Sequence, residues 1–305
     1  MPGNEPRKRS VPLDNVTLAL VEWGPAEARD VVLCAHGLTR NSRDFDFLAR
    51  ALAERRRVIA FDFAGRGDSG WLEDSALYGY PTYFDHAVRL MDALELPSVD
   101  WVGTSMGGIL GMIVAGRLKE RVRRLVLNDV GALVTRQSMQ RILQFPTLGR
   151  EFAGLAEAER FYREALAPWG KLSDEAYRHI TEHSLRQLPN GKLGPNYDPA
   201  IRAPLLGSDA RDINLWDVWG AVTQPVLMLR GALSDLLLRC TALGMVARGG
   251  VDLLEVAGAG HAPALMSAEE IRPIVAWLDR PPPSPVAGIG IDARGAVAPA
   301  KRGAA

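Results

Sequence analysis

The chain has 305 residues, 47% of them hydrophobic and 24% charged, with 36 basic side chains balancing 36 acidic ones. Such a composition supports a sizeable folded core and excludes a wholly disordered chain, while a net charge of zero leaves no overall basic footprint for nucleic acid or an anionic membrane. The two cysteines, Cys34 and Cys240, form no CxxC pair, which argues against a disulfide framework or zinc ribbon and fits a reduced, cytoplasmic protein.

Residues 1–10 are basic and precede no apolar stretch of the kind an export signal needs, so a disordered N-terminal arm is expected there. Strands are then predicted at Val16–Glu22, Val31–Ala35, Val58–Phe63, Val99–Gly103, Arg124–Asn128, Val226–Arg230 and Val251–Val256. Most are apolar throughout, as parallel strands covered on both faces must be. Helices are predicted between several of them, at Ser42–Leu52, Thr82–Leu94, Met106–Leu118 and Ala268–Leu278, with Thr82 and Asp85 spaced as a capping box. The alternation implies an α/β fold with a doubly wound, mostly parallel sheet.

The rhythm breaks after Asp129. Helical stretches at Ser138–Phe145, Ala156–Leu166 and Ser173–Leu185, separated by prolines, predict a helical cap over residues 132–221 inserted into a core of 11–131 and 222–280. The last 25 residues, 281–305, hold 5 Pro, 4 Gly and 7 Ala with no aromatic side chain, and a disordered tail is expected. The longest apolar run, Met106–Gly116, has 11 residues and is too short to span a bilayer, so a soluble protein without a membrane partner is expected.

Gly103-Thr-Ser105-Met-Gly107 matches G-x-S-x-G between a predicted strand and a predicted helix, the context in which a serine hydroxyl projects above a sheet. Ser105 is therefore the candidate nucleophile; a glycine-rich helix start with an inert serine is the simpler alternative. A neutral hydroxyl needs a base and the base needs an acceptor. His261, in the loop Gly258-Ala-Gly-His-Ala-Pro263 after the last predicted strand, is the candidate base, because His86, His179 and His183 fall on predicted helices. Asp235, in Leu229-Arg-Gly-Ala-Leu-Ser-Asp235, is the candidate acid, and Asp129 at the end of an earlier strand is the alternative.

On His36-Gly37, Ser105, Asp235 and His261, in that chain order, the sequence resembles the α/β-hydrolase superfamily and its capped, serine esterase-like members over about residues 11–280. The resemblance implies an oxyanion hole from the backbone N–H groups of Leu38 and Met106, and acyl transfer to Ser105 followed by hydrolysis of a carboxylic ester or related acyl compound. The first loop lacks the H-G-G-G form of some esterases. C–C bond hydrolysis, lactonase or perhydrolase activity would use the same three groups, although Ala262 stands where C–C hydrolases often carry an aromatic residue; a non-catalytic ligand receptor on this fold is the alternative of another class.

Cap aromatics Phe145, Phe152, Phe161, Trp169, Trp216 and Trp219 are available to line a pocket, and Phe145, Trp169 and Trp216 join His36 and Gly37 as the expected pocket residues. Arg40, Arg43 and Arg66 are the only cations near the four stations, so an uncharged, apolar, short to medium acyl group is the expected substrate. His179-Ile-Thr-Glu-His183 matches the H-x-x-E-H zinc pattern, but it lies among charged residues without an evident third ligand and is expected to be a solvated polar face. Gly65-Arg-Gly-Asp-Ser69 is expected to form a tight loop beside the Gly103–Gly107 turn. No nucleotide motif is present, and neither a metal nor a cofactor is expected; the sequence leaves oligomeric state open.

Overall fold

The computed structural model describes residues 5–143, 150–206 and 211–281. Six strands lie before the insertion: β1 (Arg7–Pro12), β2 (Thr17–Trp23), β3 (Val31–Ala35), β4 (Arg57–Phe61), β5 (Val99–Thr104) and β6 (Val122–Asn128), with helices α1 (Asp46–Leu52), α2 (Tyr80–Ala93) and α3 (Met106–Arg117) between them. The insertion carries β7 (Leu133–Val134), α4 (Arg136–Leu143), α5 (Leu155–Ala165), α6 (Asp174–His183), β8 (Leu185–Gln187), β9 (Leu193–Pro195), α7 (Ala203–Leu206), β10 (Ile213–Asn214) and α8 (Trp216–Ala221). The chain then returns through β11 (Val226–Gly231), α9 (Arg239–Val246), β12 (Val251–Val256) and α10 (Ala268–Leu278).

Eight strands form one sheet in the order β1-β2-β4-β3-β5-β6-β11-β12; the β1 to β2 and β2 to β4 pairings are antiparallel and the rest parallel. Alternate residues of one strand feed opposite layers, as the two-residue period of a strand requires. Leu33, Ala35, Ile59 and Phe61 pack with Leu90, Met91 and Leu110 of α2 and α3. Val32, Cys34, Val58 and Ala60 pack with Leu48 and Leu52 of α1 and Ile271 and Ile274 of α10. Burial on both faces explains why β3 reads as an uninterrupted apolar run.

Three sequence expectations change. The arm expected to be disordered over residues 1–10 contains most of β1, whose Arg7 and Arg9 join Arg57 around the buried carboxylate of Glu22. A buried carboxylate with three guanidinium partners gives basic sequence a reason to fold that composition does not reveal. Helix α2 begins after Gly79 with Pro81 in its first turn rather than at a Thr82 capping box, and the capping box of the core belongs to Ser267 and Glu270 on α10. Residues 216–221, expected to belong to the cap, form α8, a helix the sequence did not suggest, which packs on α3. Residues 282–305 of the expected tail lie outside the described residues.

Glycines fix the closest approach of layers. A Cβ on Gly107 would lie 2.0 Å from the carbonyl oxygen of Ala35, whereas one on Gly220 in α8 meets nothing within 4 Å. Gly107→Ala should therefore lower unfolding stability by about 3 kcal/mol or more, and Gly220→Ala should raise it by about 0.4–1 kcal/mol, measured by denaturant titration. Equal effects of the two substitutions would contradict this packing.

Candidate active site

Ser105 sits between β5 and α3 with φ 52° and ψ −115°, a left-handed conformation a non-glycine residue holds only when its surroundings impose it. The imposition is visible. The Ser105 N–H donates to the carbonyl of Asn128 at the end of β6 (3.0 Å), and the Asn128 side-chain amide donates to Pro263 in the histidine loop (2.8 Å). Gly103 and Gly107 allow the strand end to pass the helix start, since a Cβ on Gly103 would lie 2.4 Å from the Gly107 carbonyl.

The His261 Nε2 stands 3.0 Å from Ser105 Oγ, and its Nδ1 stands 2.8 Å from a carboxylate oxygen of Asp129. Asp235, the expected acid, is not the carboxylate brought to His261: its side chain is 56% exposed and pairs with Arg141 of α4. Asp129 is fully buried one residue beyond β6, with φ 55° turning its carboxylate toward the neighbouring β11 turn. There Oδ1 accepts from the Gly231 N–H (2.8 Å) and Oδ2 from the Ser234 hydroxyl (2.6 Å) as well as from His261. The turn after β11 thus presents Ser234, not Asp235, to the histidine's partner.

His36 is buried behind the first loop rather than in the cavity where the sequence placed it. Its Nδ1–H donates to the Gly37 carbonyl (2.7 Å) and its Nε2 accepts from the Phe63 N–H (3.1 Å), so the neutral ring alone satisfies both neighbours. Burial pushes its pKa down to about 3, with Arg66 and Arg40 adding to the effect. Beside it the Asp62 carboxylate, pushed up by burial to about 6, receives the backbone N–H groups of Ser42 and Asp68 and holds the tight loop at Gly65–Ser69. The Arg66 guanidinium is buried between the Leu38 carbonyl (3.0 Å), the Ala64 carbonyl (2.8 Å) and the Tyr83 hydroxyl (2.7 Å), and lies 3.9 Å from the Met106 sulfur. It so ties Leu38 to Met106, the two residues expected to supply oxyanion donors. Among the described residues the Leu38 N–H has no backbone acceptor, and the Met106 N–H opens α3, where helix geometry leaves it without one.

Ser105 and His261 open into a cavity of about 450 Å³ whose walls include Gly37, Leu38, Met106, Trp169, Ile201 and Leu236. Of the expected pocket residues, Gly37 and Trp169 line it; Trp216 is 37% exposed over Gly244, and Phe145 lies outside the described residues. Phe152 and Phe161 pack in a cluster with Tyr162, Ile180, Ala264 and Met266, and Trp219 packs in the main core. Arg40 reaches the cavity with its charge engaged by Asp44 (2.9 Å from Nε) and its plane over Trp169, and Arg141 reaches it paired to Asp235.

His179 and His183 do not form a solvated face. His179 Nε2 donates to the Arg43 carbonyl (2.8 Å), its ring packs edge-on against Phe47, and His183 is half-buried with its pKa lowered to about 3, first by burial and then by Arg43.

The neutral state of His36 carries a pH consequence. The unfolded chain takes up this proton near pH 6.5 and the folded chain only near 3, so the stability it contributes is complete above about pH 6.5 and is lost as pH falls toward 3. In an NMR titration the His36 ring carbons should stay flat from pH 8 to about 4.5. Titration of that ring near its ordinary value would contradict the buried, neutral assignment.

Residues 31–274 match the family described as Alpha/beta hydrolase family. The chain is 40% identical over 264 residues to a 3-hydroxybutyrate-oligomer hydrolase of Cupriavidus necator, covering 83% of this chain and 90% of that protein. It is 28% identical over 228 residues to an esterase of Mycobacterium tuberculosis, covering 71% and 70%. An alpha/beta hydrolase from Novosphingobium aromaticivorans superposes with a TM-score of 0.82 at 31% identity, over 90% of this chain and 98% of that one. No helix among the described residues is long and apolar enough to cross a membrane. With its mostly parallel eight-stranded sheet and these relatives, the chain belongs to the alpha/beta-hydrolase family and is a hydrolase.

Proposed function

We propose that the protein is a serine esterase that cleaves small esters with short, apolar acyl chains through an acyl-enzyme. One observation carries the reading: the unbroken hydrogen-bond chain from Ser105 Oγ through His261 to buried Asp129, opening at the floor of a largely apolar cavity. His261 Nε2 takes the Ser105 proton as Oγ attacks the carbonyl, and Asp129 holds Nδ1–H and stabilises the imidazolium that forms. The N–H groups of Leu38 and Met106 receive the oxyanion, each worth roughly 2.7–4 kcal/mol by comparison with other oxyanion donors. His261 then protonates the departing alkoxide, and a water activated by the same ring releases the acid and restores Ser105.

The apolar walls support an uncharged acyl portion, and both cations that reach the cavity already have carboxylate partners. The name of the Cupriavidus relative brings short oligoesters of 3-hydroxybutyrate forward as the candidate substrates.

Ser105→Ala should lower kcat by about 10⁴–10⁶-fold in folded protein. Asp129→Asn should lower it by about 10³–10⁴-fold, while Asp235→Asn should stay within about threefold of the parent; the opposite ranking would return the acid to Asp235. Across p-nitrophenyl esters, kcat/KM should rise by at most about fourfold per added methylene, the equivalent of about 0.8 kcal/mol, until the cavity is full. Turnover of 3-hydroxybutyrate dimer and trimer tests the oligoester assignment. Cleavage of ring-fission diketones without ester turnover would instead favour C–C hydrolysis.

A further inference from the structure

The His179-Ile-Thr-Glu-His183 pattern takes no part in the chemistry above. Four residues apart on α6, the two imidazoles share a face, and their ring centroids lie 4.5 Å apart, edge to face. The sequence offers no third partner nearby, but the fold does. Asp46, at the start of core helix α1, is fully buried and comes within 3.5 Å of His179 Nε2. Its Oδ2 accepts from Arg43 Nε (2.8 Å) and Nη2 (2.6 Å), while its Oδ1, also buried, has no hydrogen-bond partner among the described residues. The ring nitrogens of His183 likewise make no hydrogen bond to any described residue. One candidate ligand atom from each of Asp46, His179 and His183 lies within 4.8 Å of the other two.

We propose that Asp46, His179 and His183 bind one divalent transition-metal ion of the Zn²⁺ class at the joint between cap helix α6 and core helix α1. Two imidazoles and one carboxylate are the donor set that borderline ions such as Zn²⁺ and Co²⁺ favour over Mg²⁺ or Ca²⁺. With bonds of about 2.0–2.2 Å, ligand atoms on a tetrahedral ion stand roughly 3.4 Å apart, so the three side chains need draw in only slightly, and water completes the set. Oδ1 of Asp46 is the free acceptor. The bond of His179 Nε2 to the Arg43 carbonyl leaves Nδ1 unprotonated, or is exchanged if Nε2 is the ligand. His183 lines a second cavity of about 470 Å³, whose charged walls include Lys8, Arg9, Arg43, Asp62, Asp68 and Glu182. None of the three ligands lines the cavity holding Ser105 and His261, so this site does not depend on the esterase reading.

Arg43 sets the affinity. Its guanidinium and the ion would compete for the Asp46 carboxylate, and its side chain is 18% exposed. Removing it should therefore strengthen metal binding, whereas a merely structural cluster would show no such gain.

The test is calorimetric titration of the full chain with Zn²⁺ and with Co²⁺, in a background carrying Cys240→Ser and His261→Ala to remove the exposed thiol and the active-site imidazole. One ion should bind per chain. His183→Ala should weaken binding at least about tenfold and abolish the rise in Tm caused by Zn²⁺, and Arg43→Ala should tighten binding by a similar factor. Arg43→Ala retains all three ligands and keeps the test decisive if His183→Ala fails to fold. Failure of the folded parent to bind at submillimolar ion, binding unchanged by His183→Ala, or binding seen only when His261 is restored would each overturn the proposal.

Discussion

The buried carboxylate of Asp129 joins three parts of the chain that are distant in sequence. It closes the end of β6, receives Gly231 and Ser234 from the turn after β11, and holds the Nδ1 side of His261. Leaving a buried carboxylate oxygen unpaired is costly, so the contacts of Asp129 reinforce one another. Once they form, the imidazole has one orientation, and its other nitrogen is aimed at Ser105. The strained backbone of Ser105 is fixed from the opposite side, through Asn128, so strand β6 aligns the Ser105 hydroxyl and the His261 ring at once.

A second buried framework holds the loop of Leu38 and the start of α3, where the proposed mechanism places its oxyanion donors. Neutral His36 pins the first loop to Phe63, Asp62 gathers the backbone of Ser42 and Asp68, and Arg66 bridges Leu38 to the start of α3. Each of these groups is a polar or charged side chain removed from water and matched by directed partners. Donors fixed in this way need no reorganisation when charge develops on a carbonyl oxygen between them.

Much of this was legible in the sequence because it follows from local constraints. The central strand Val31–Ala35 announces itself as an apolar run and the edge strand Val251–Val256 as apolar residues interrupted by Asp252 and Glu255, both predicted to the residue, and the turn at Ser105 shows as two glycines around a serine. What was not legible depends on pairing across the fold. Two aspartates, 129 and 235, each follow a central strand and each fits a serine, acid, histidine chain order; only the φ of Asp129 and the hydroxyl of Ser234 decide between them. Strand β1 was hidden because its stabilising partner, Glu22, lies in another strand. The aromatics of the insertion were equally ambiguous, since Phe152 and Phe161 pack in a cluster shared with Ala264 and Met266 while Trp169 faces the cavity. The H-x-x-E-H segment lacked a third ligand only because Asp46 belongs to a different helix.

The central claim, that Asp129 is the hydrogen-bond partner of His261, is tested most directly by the far-downfield proton NMR spectrum. A proton shared between imidazole Nδ1 and a buried carboxylate is deshielded and protected from exchange with water. The structure predicts such a resonance in the parent protein and in Asp235→Asn, and its disappearance in folded Asp129→Asn. A resonance that survives the loss of Asp129 and vanishes with Asp235 would contradict the account.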